Sequence, residues 1–353
     1  MLLCGVGLKL IISVSNVKIN QFSSLPTIMS LVLGTAQFGG CNYGSGVNQL
    51  SSLTIQEIHN ILMSAYRLGV RRLDTAQGYG QAENVIGQFK KAYPGYSFRV
   101  GTKLSFPDLY ITKDKCGNKG ILTENGCKYM DKVFDKSLSN LRVSKLESVL
   151  LHSFQEFEST CVWDWLRKQA KDYRIHRIGV SVYHPWEIMK GIENPTLNHL
   201  QIPFNLFSVD SISRGTTITD LVYQKKKINS HFMIDVRSVF LQGLLVNLDY
   251  QVWKKIPDLT PQIFHNFVET LTRLKKDLNR SSFADLALAY VRHFKWIDGI
   301  ILGCDSVQQL EDNVRLFKKS PLKESEVKIV QDSFKLLIFK VPLILDPSQW
   351  NHS

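Results

Sequence analysis

No apolar run in this 353-residue chain reaches the ~18 residues of a membrane-spanning helix, so a helical span is not expected and the chain reads as soluble. Cysteine is sparse. The six present (Cys4, Cys41, Cys116, Cys127, Cys161, Cys304) form no CxxC pair and have no histidines at zinc-ligand intervals. That excludes the usual signature of a metal centre or a disulfide framework, and leaves reduced thiols in a cytoplasmic protein as the simpler reading. A GxGxxG fingerprint is absent, so nothing points to a doubly wound dinucleotide fold. Internal repeats and Pro-rich or Ser-rich linkers are missing too, which favours a single domain. The formal charge of +12 is spread among 31 acids, and the densest run, Lys225 to Lys227, suits a solvated helix face. Neither nucleic acid nor a membrane is expected as a partner, while a preference for anionic ligands stays open.

What is present is core-forming. Hydrophobic residues make up 44% and aromatics 10% of the chain, enough to bury a sizeable interior. Strand candidates fall at 31–35, 72–75, 99–103, 148–152, 177–182, 200–205, 233–239 and 299–303, with helical patterns between them. In IQEIHNILMSAYRLG, Ile55, Ile58, Ile61, Leu62 and Tyr66 share one face and Gly69 suits the C-terminal cap. Ser282 and Ser306 are placed to cap two later helices. Alternation of eight strands with helices predicts a parallel α/β sheet, closed as a (β/α)8 TIM barrel. The barrel is expected over 29–320, with a C-terminal helix and tail over 321–353. Residues 1–28 precede a second methionine, Met29, and are expected to be an upstream extension or a disordered arm in preference to a targeting segment, because no basic flank or small-residue cleavage site accompanies the apolar stretch. One connection, from Phe106 to about Met130, is long and carries Lys113, Lys115, Lys119 and Lys128, which suits a functional loop or a surface insertion.

Polar residues stand at or just after the ends of three apolar runs: Asp74 and Tyr79 in RRLDTAQGYG, Lys103 in FRVGTKLS, and His152 in ESVLLHSF. The C-terminal end of a buried parallel strand is poorly suited to packing a titratable group and well suited to catalysis. Singly, each has a structural explanation, such as a helix cap for Asp74 or a satisfied core histidine for His152. Together they suit proton delivery. A phenol, with an ordinary pKa near 10, becomes a useful acid beside a cation. Lys103 can supply that cation, Asp74 can keep the lysine charged, and His152 can orient an oxygen that becomes negative as a carbonyl accepts hydride.

In order along the chain, GTAQFG, DTAQGYGQAENVIG, GTKL, LLH, GVSV and LQIPFN resemble the aldo-keto reductase family from Leu31 to about Lys319. That resemblance implies NAD(P)H-dependent reduction of an aldehyde or ketone, with Tyr79 as general acid, Lys103 and Asp74 tuning it, and His152 orienting the carbonyl. It also implies cofactor contacts from Gly34 and Thr35, from Ser181 and Gln201 to the nicotinamide carboxamide, and from Ser238, Phe240 and Gly243 to the pyrophosphate. Gly303, Asp305, Ser306, Gln309 and Asn313 match the adenosine end. Three positions depart from the family pattern. Val182 stands where asparagine is common; Arg237 replaces the aromatic that stacks on nicotinamide, and can stack or reach a phosphate or an acidic substrate. Asp305 stands where NADP-preferring members carry a basic residue, which would favour NAD, whereas family habit favours NADPH. The polar, Lys-rich connection after Phe106 suggests a sugar or nucleotide-sugar substrate, and RSVFLQGLL and LGTAQFG resemble a bacterial branch linked to surface polysaccharide. A low-turnover redox-sensing module, or a sugar dehydratase or epimerase that uses nicotinamide transiently, are the alternatives.

Overall fold

The computed structural model describes residues 29–40, 53–106, 124–210 and 216–350. The expected N-terminal extension and Lys113, Lys115 and Lys119 lie outside the described residues. Eight strands, β1 (Ser30–Gly34), β2 (Arg72–Asp74), β3 (Arg99–Leu104), β4 (Leu146–Leu151), β5 (Ile175–Ser181), β6 (His199–Pro203), β7 (Met233–Arg237) and β8 (Gly299–Leu302), form a closed barrel in sequence order. Every pair is parallel, including β8 against β1 with Val32 beside Ile301. Runs such as LESVLL are buried almost throughout because helices cover the outer face while side chains fill the inside. The result is a (β/α)8 TIM barrel. No helix among the described residues is long and apolar enough to cross a membrane.

The helices begin and end where local chemistry dictates. Thr54 and Glu57 cap Ile55–Arg67 reciprocally, and Gly69, at a φ of +93°, takes the left-handed turn that ends it. Ile58, Ile61 and Leu62 of that helix are buried, but Ile55, in its first turn, is exposed. Ser282 and Ser306 cap Phe283–Val291 and Val307–Phe317 as expected. The long connection is shorter than its composition suggests, since Glu124–Leu141 is helical and takes in Lys128. Nor is the lysine run simply a solvated face. In Ile218–Ile228, Lys225 is buried with its ammonium donating to the Asn194 carbonyl, and Lys226 pairs with buried Asp298 at 2.7 Å.

Two packing features set the geometry of the barrel ends. Gly87 lets Ala82–Ala92 meet the following helix so closely that a Cβ there would lie 1.9 Å from the Asn140 carbonyl oxygen. Buried Glu83, one turn earlier, accepts a 2.7 Å bond from Thr102 of β3, so the Glu and Gly of the DTAQGYGQAENVIG segment hold a helix and not a ligand. At the opposite, N-terminal mouth, Arg72 forks onto both Asp235 oxygens, His199 Nε2 lies 2.9 Å from the same carboxylate, and Ser30 accepts from Arg72 at 3.1 Å. Gly299 makes room for this plug, for a Cβ there would come within 2.2 Å of Asp235 Oδ1.

Candidate active site

Asp74 is the last residue of β2, Lys103 the last but one of β3, and His152 the first after β4, so all three stand at the C-terminal mouth. Lys103, only 1% exposed, donates to both Asp74 oxygens at 2.8 and 2.7 Å and to the Thr75 carbonyl at 3.2 Å. Three acceptors match the three N–H bonds of an ammonium, so the lysine is fixed as a charge. Asp74 is braced in turn. Gln201 Nε2 donates to its Oδ1 at 2.8 Å, and Thr35 bonds its backbone carbonyl through both N–H and hydroxyl at 3.0 Å.

Tyr79 follows on the turn after β2, with its ring centroid 5.2 Å from Lys103 Nζ and 6.1 Å from the His152 ring, edge to face. The turn is pinned by the segment after β1. Gly39 approaches so closely that a Cβ would lie 1.9 Å from the Tyr79 carbonyl oxygen. Burial first, then the charges of Lys103 and Arg237, push the His152 imidazolium down to about 4 against the opposing pull of Asp74. At neutral pH the ring is therefore neutral: it can direct an N–H at an oxygen but is not a cationic acid.

Of the residues expected to hold a nicotinamide cofactor, Thr35 and Gln201 touch Asp74 directly, and the others lie on β1 and on β5 to β8 or the segments after them. Ser181 ends β5 and Gln201 is central in β6; both are buried, and Ser181 Oγ donates to Gln201 Oε1 at a long 3.3 Å. That weak bond is readily exchanged for a carboxamide, which offers one donor and one acceptor face. After β7, Ser238, Leu241, Gln242 and Gly243 all have positive φ, at 58°, 48°, 53° and 93°. Three are not glycine, so the loop stores strain. Backbone that switches between right- and left-handed turns gathers N–H groups around a concavity, which suits an anion. Phe240 packs against the core within this loop. Past β8, Ser306 caps Val307–Phe317 by accepting from Gln309 N at 3.2 Å, and Gln309 Oε1 accepts from Asp305 N at 2.9 Å. Gly303 and Asp305 thus sit at a helix N-terminus, a natural anion seat. Asn313 lies further along, beside Leu31, Val32 and Leu33. Burial pushes the Cys304 thiol, at the same junction, up to about 12, which removes it as a nucleophile. By this chemistry and placement the donor set fits a dinucleotide.

Sequence reasoning missed several contributors. Gln37, within GTAQFG, has a buried Oε1 with no partner among the described residues, and a Cβ on Gly303 would lie 2.5 Å from it. Tyr183 carries the Arg237 guanidinium 4.2 Å from its ring centroid. Thr35 and Gln201 were expected to touch cofactor, and here they also brace Asp74.

The model of the Aldo/keto reductase family matches residues 30–334. An uncharacterized oxidoreductase of Bacillus subtilis, YqkF, is 21% identical over 318 residues, covering 87% of this chain and 97% of that protein. Among solved structures, the aldo-keto reductase AKR11C1 from Bacillus halodurans in its holo form aligns with a TM-score of 0.61 at 16% identity, over 86% of this chain and 91% of that one. The glycerol dehydrogenase AKR11B4 from Gluconobacter oxydans aligns with a TM-score of 0.62 at 20% identity, over 90% and 94%.

Proposed function

Because the chain belongs to the aldo/keto reductase family and is an NAD(P)H-dependent oxidoreductase acting on carbonyl or alcohol groups, we propose that it reduces a carbonyl compound with Tyr79 as the general acid. The observation that carries this reading is the saturation of Lys103 by Asp74 and Thr75 beside the Tyr79 ring. A lysine so held acts through its charge. With His152 neutral, the phenol is the group left to give a proton. Bound NAD(P)H supplies the hydride to the carbonyl carbon. Tyr79 gives its hydroxyl proton to the carbonyl oxygen, Lys103 stabilises the phenolate left behind, and Asp74 keeps the lysine charged. His152 directs an N–H at the same oxygen, and Ser181 with Gln201 holds the carboxamide. The Ser238 to Gly243 loop and the 303–313 segment take the pyrophosphate and adenosine ends, with Gly34 and Thr35 closing the β1 side.

The substrate is a small-molecule carbonyl, a sugar or nucleotide-sugar, handled in the cytoplasm without nucleic acid or membrane. Support comes from aromatic side chains on the segments that follow β4 and β5: Trp186 is half exposed, Tyr183 is 39% exposed, and Phe154 props Trp186 edge-on at 4.9 Å. Such faces suit the C–H surface of a sugar ring. NADPH is taken as the cofactor on family habit, and Asp305 is the residue that opposes it. Burial pushes its carboxyl up, and as a carboxylate it repels a 2′-phosphate. In initial-rate assays, Asp305→Asn is expected to raise the NADPH to NADH ratio of kcat/KM about tenfold, or ~1.4 kcal/mol. A ratio that does not move would mean that this carboxylate plays no part in cofactor choice.

A further inference from the structure

Arg237 ends β7 as a half-buried cation, and among the described residues no carboxylate pairs with it. Its hydrogen bonds go to neutral groups at long range: Nε to Ser181 Oγ at 3.4 Å, Nη1 to Ser238 Oγ at 3.3 Å and Nη2 to the Val182 carbonyl at 3.2 Å. A guanidinium has five N–H bonds, so one remains on each terminal nitrogen. That pair is what an oxyanion takes in a bidentate contact. The Tyr183 ring, 4.2 Å from Cζ, packs against the guanidinium. Asp74 does not answer this charge, since both its oxygens are taken by Lys103. Of the charges that act on His152, Lys103 and Arg237 are cations and Asp74 is the one carboxylate.

We propose that Arg237 anchors an anionic substituent of the substrate, a carboxylate or phosphate on the same molecule as the reducible carbonyl. This deepens the carbonyl-reductase reading and rests on it. Val182 belongs to the same device: its backbone carbonyl holds Nη2, and its buried side chain offers no competing polar group. Arg237 is near enough to His152 for its charge to act on that ring, so an anion on the fork would lie on the side of the site that His152 serves.

The test uses the full chain with NADPH and matched pairs of carbonyl compounds: succinic semialdehyde against butyraldehyde, glucuronate against glucose, and glyceraldehyde 3-phosphate against glyceraldehyde. The anionic member of at least one pair is expected to have a kcat/KM at least about tenfold higher, chiefly through KM, as a charge-assisted bidentate contact provides. Preference within the first two pairs assigns a carboxylate, and preference within the third a phosphate. Arg237→Gln should bring the ratio to about one, and Arg237→Lys, which keeps charge but not the fork, should retain part of it. Because the readout is a ratio within one variant, general loss of activity cancels. Equal values within all wild-type pairs overturn the proposal, as does a preference that survives Arg237→Gln. So does an Arg237→Gln variant that weakens NADPH binding while leaving the ratio intact, which would assign the arginine to the cofactor. If neutral aldehydes are reduced without anion preference, only this inference fails; if Tyr79→Phe also leaves their reduction intact, the reading beneath it fails.

Discussion

Tyr79→Phe is expected to lower kcat for carbonyl reduction by about a thousandfold, within the 10²–10⁴ range of general acid catalysis and equivalent to ~4 kcal/mol of barrier. The substitution keeps the ring between Lys103 and His152 and removes the proton it would give. Neither neighbour can substitute, because Lys103 has its N–H bonds directed at Asp74 and Thr75, and the imidazole of His152 is neutral at assay pH. Cofactor binding should persist within a few-fold. Quenching of the protein's six tryptophans by added NADPH reads that separately from turnover. Reduction within several-fold of the parent rate would remove Tyr79 from the role of acid.

The second large effect concerns stability. Asp235→Ala should lower the unfolding free energy by about 3–5 kcal/mol, the cost of leaving buried partners without their counter-charge. Arg72 and His199 both depend on this carboxylate at the closed mouth of the barrel. Burial alone would push the Asp235 carboxyl up, yet Arg72 and His199 outweigh it and hold it well below the usual carboxylate range. A carboxyl depressed on folding stabilises in full above its unfolded pKa of ~3.9 and loses that contribution as pH falls towards the folded value. Urea midpoints should therefore fall more steeply between pH 5 and pH 3 in the parent than in the variant. Coincident midpoints for the two proteins at pH 7 would contradict the plug's structural role.

Much of the barrel was legible in the sequence because each strand is a short apolar run and each crossover a helical pattern. The strands appear where expected to within two residues at most boundaries; β2, with only RLD, is shorter because the chain turns at once to set Asp74 and Tyr79. The placement of Asp74, Lys103 and His152 at one mouth was legible for the same reason, since a titratable residue at a buried strand end is poorly suited to packing. What escaped depends on partners distant in sequence. Nothing near Lys226 announces Asp298, 72 positions away, and nothing near Arg72 announces Asp235, 163 positions away. A cationic run therefore reads as solvated until the fold supplies an acid. Gly39 escaped because its close approach to Tyr79 follows from how the segment after β1 crosses the turn after β2. The bracing of Asp74 by Gln201 needs their meeting across the barrel mouth, which periodicity does not encode.

Hydride transfer coupled to proton delivery from Tyr79 is tested most directly by isotope. The protein would be incubated with glyceraldehyde, glucuronate or succinic semialdehyde and with NADPH deuterated at the transferable position, and both cofactor oxidation and product mass would be followed. The expected result is one deuterium on the former carbonyl carbon of the alcohol for each cofactor oxidised, with the reaction lost in Tyr79→Phe. Product formed without net cofactor oxidation would contradict it and point to transient use of the nicotinamide, as in a dehydration or epimerisation.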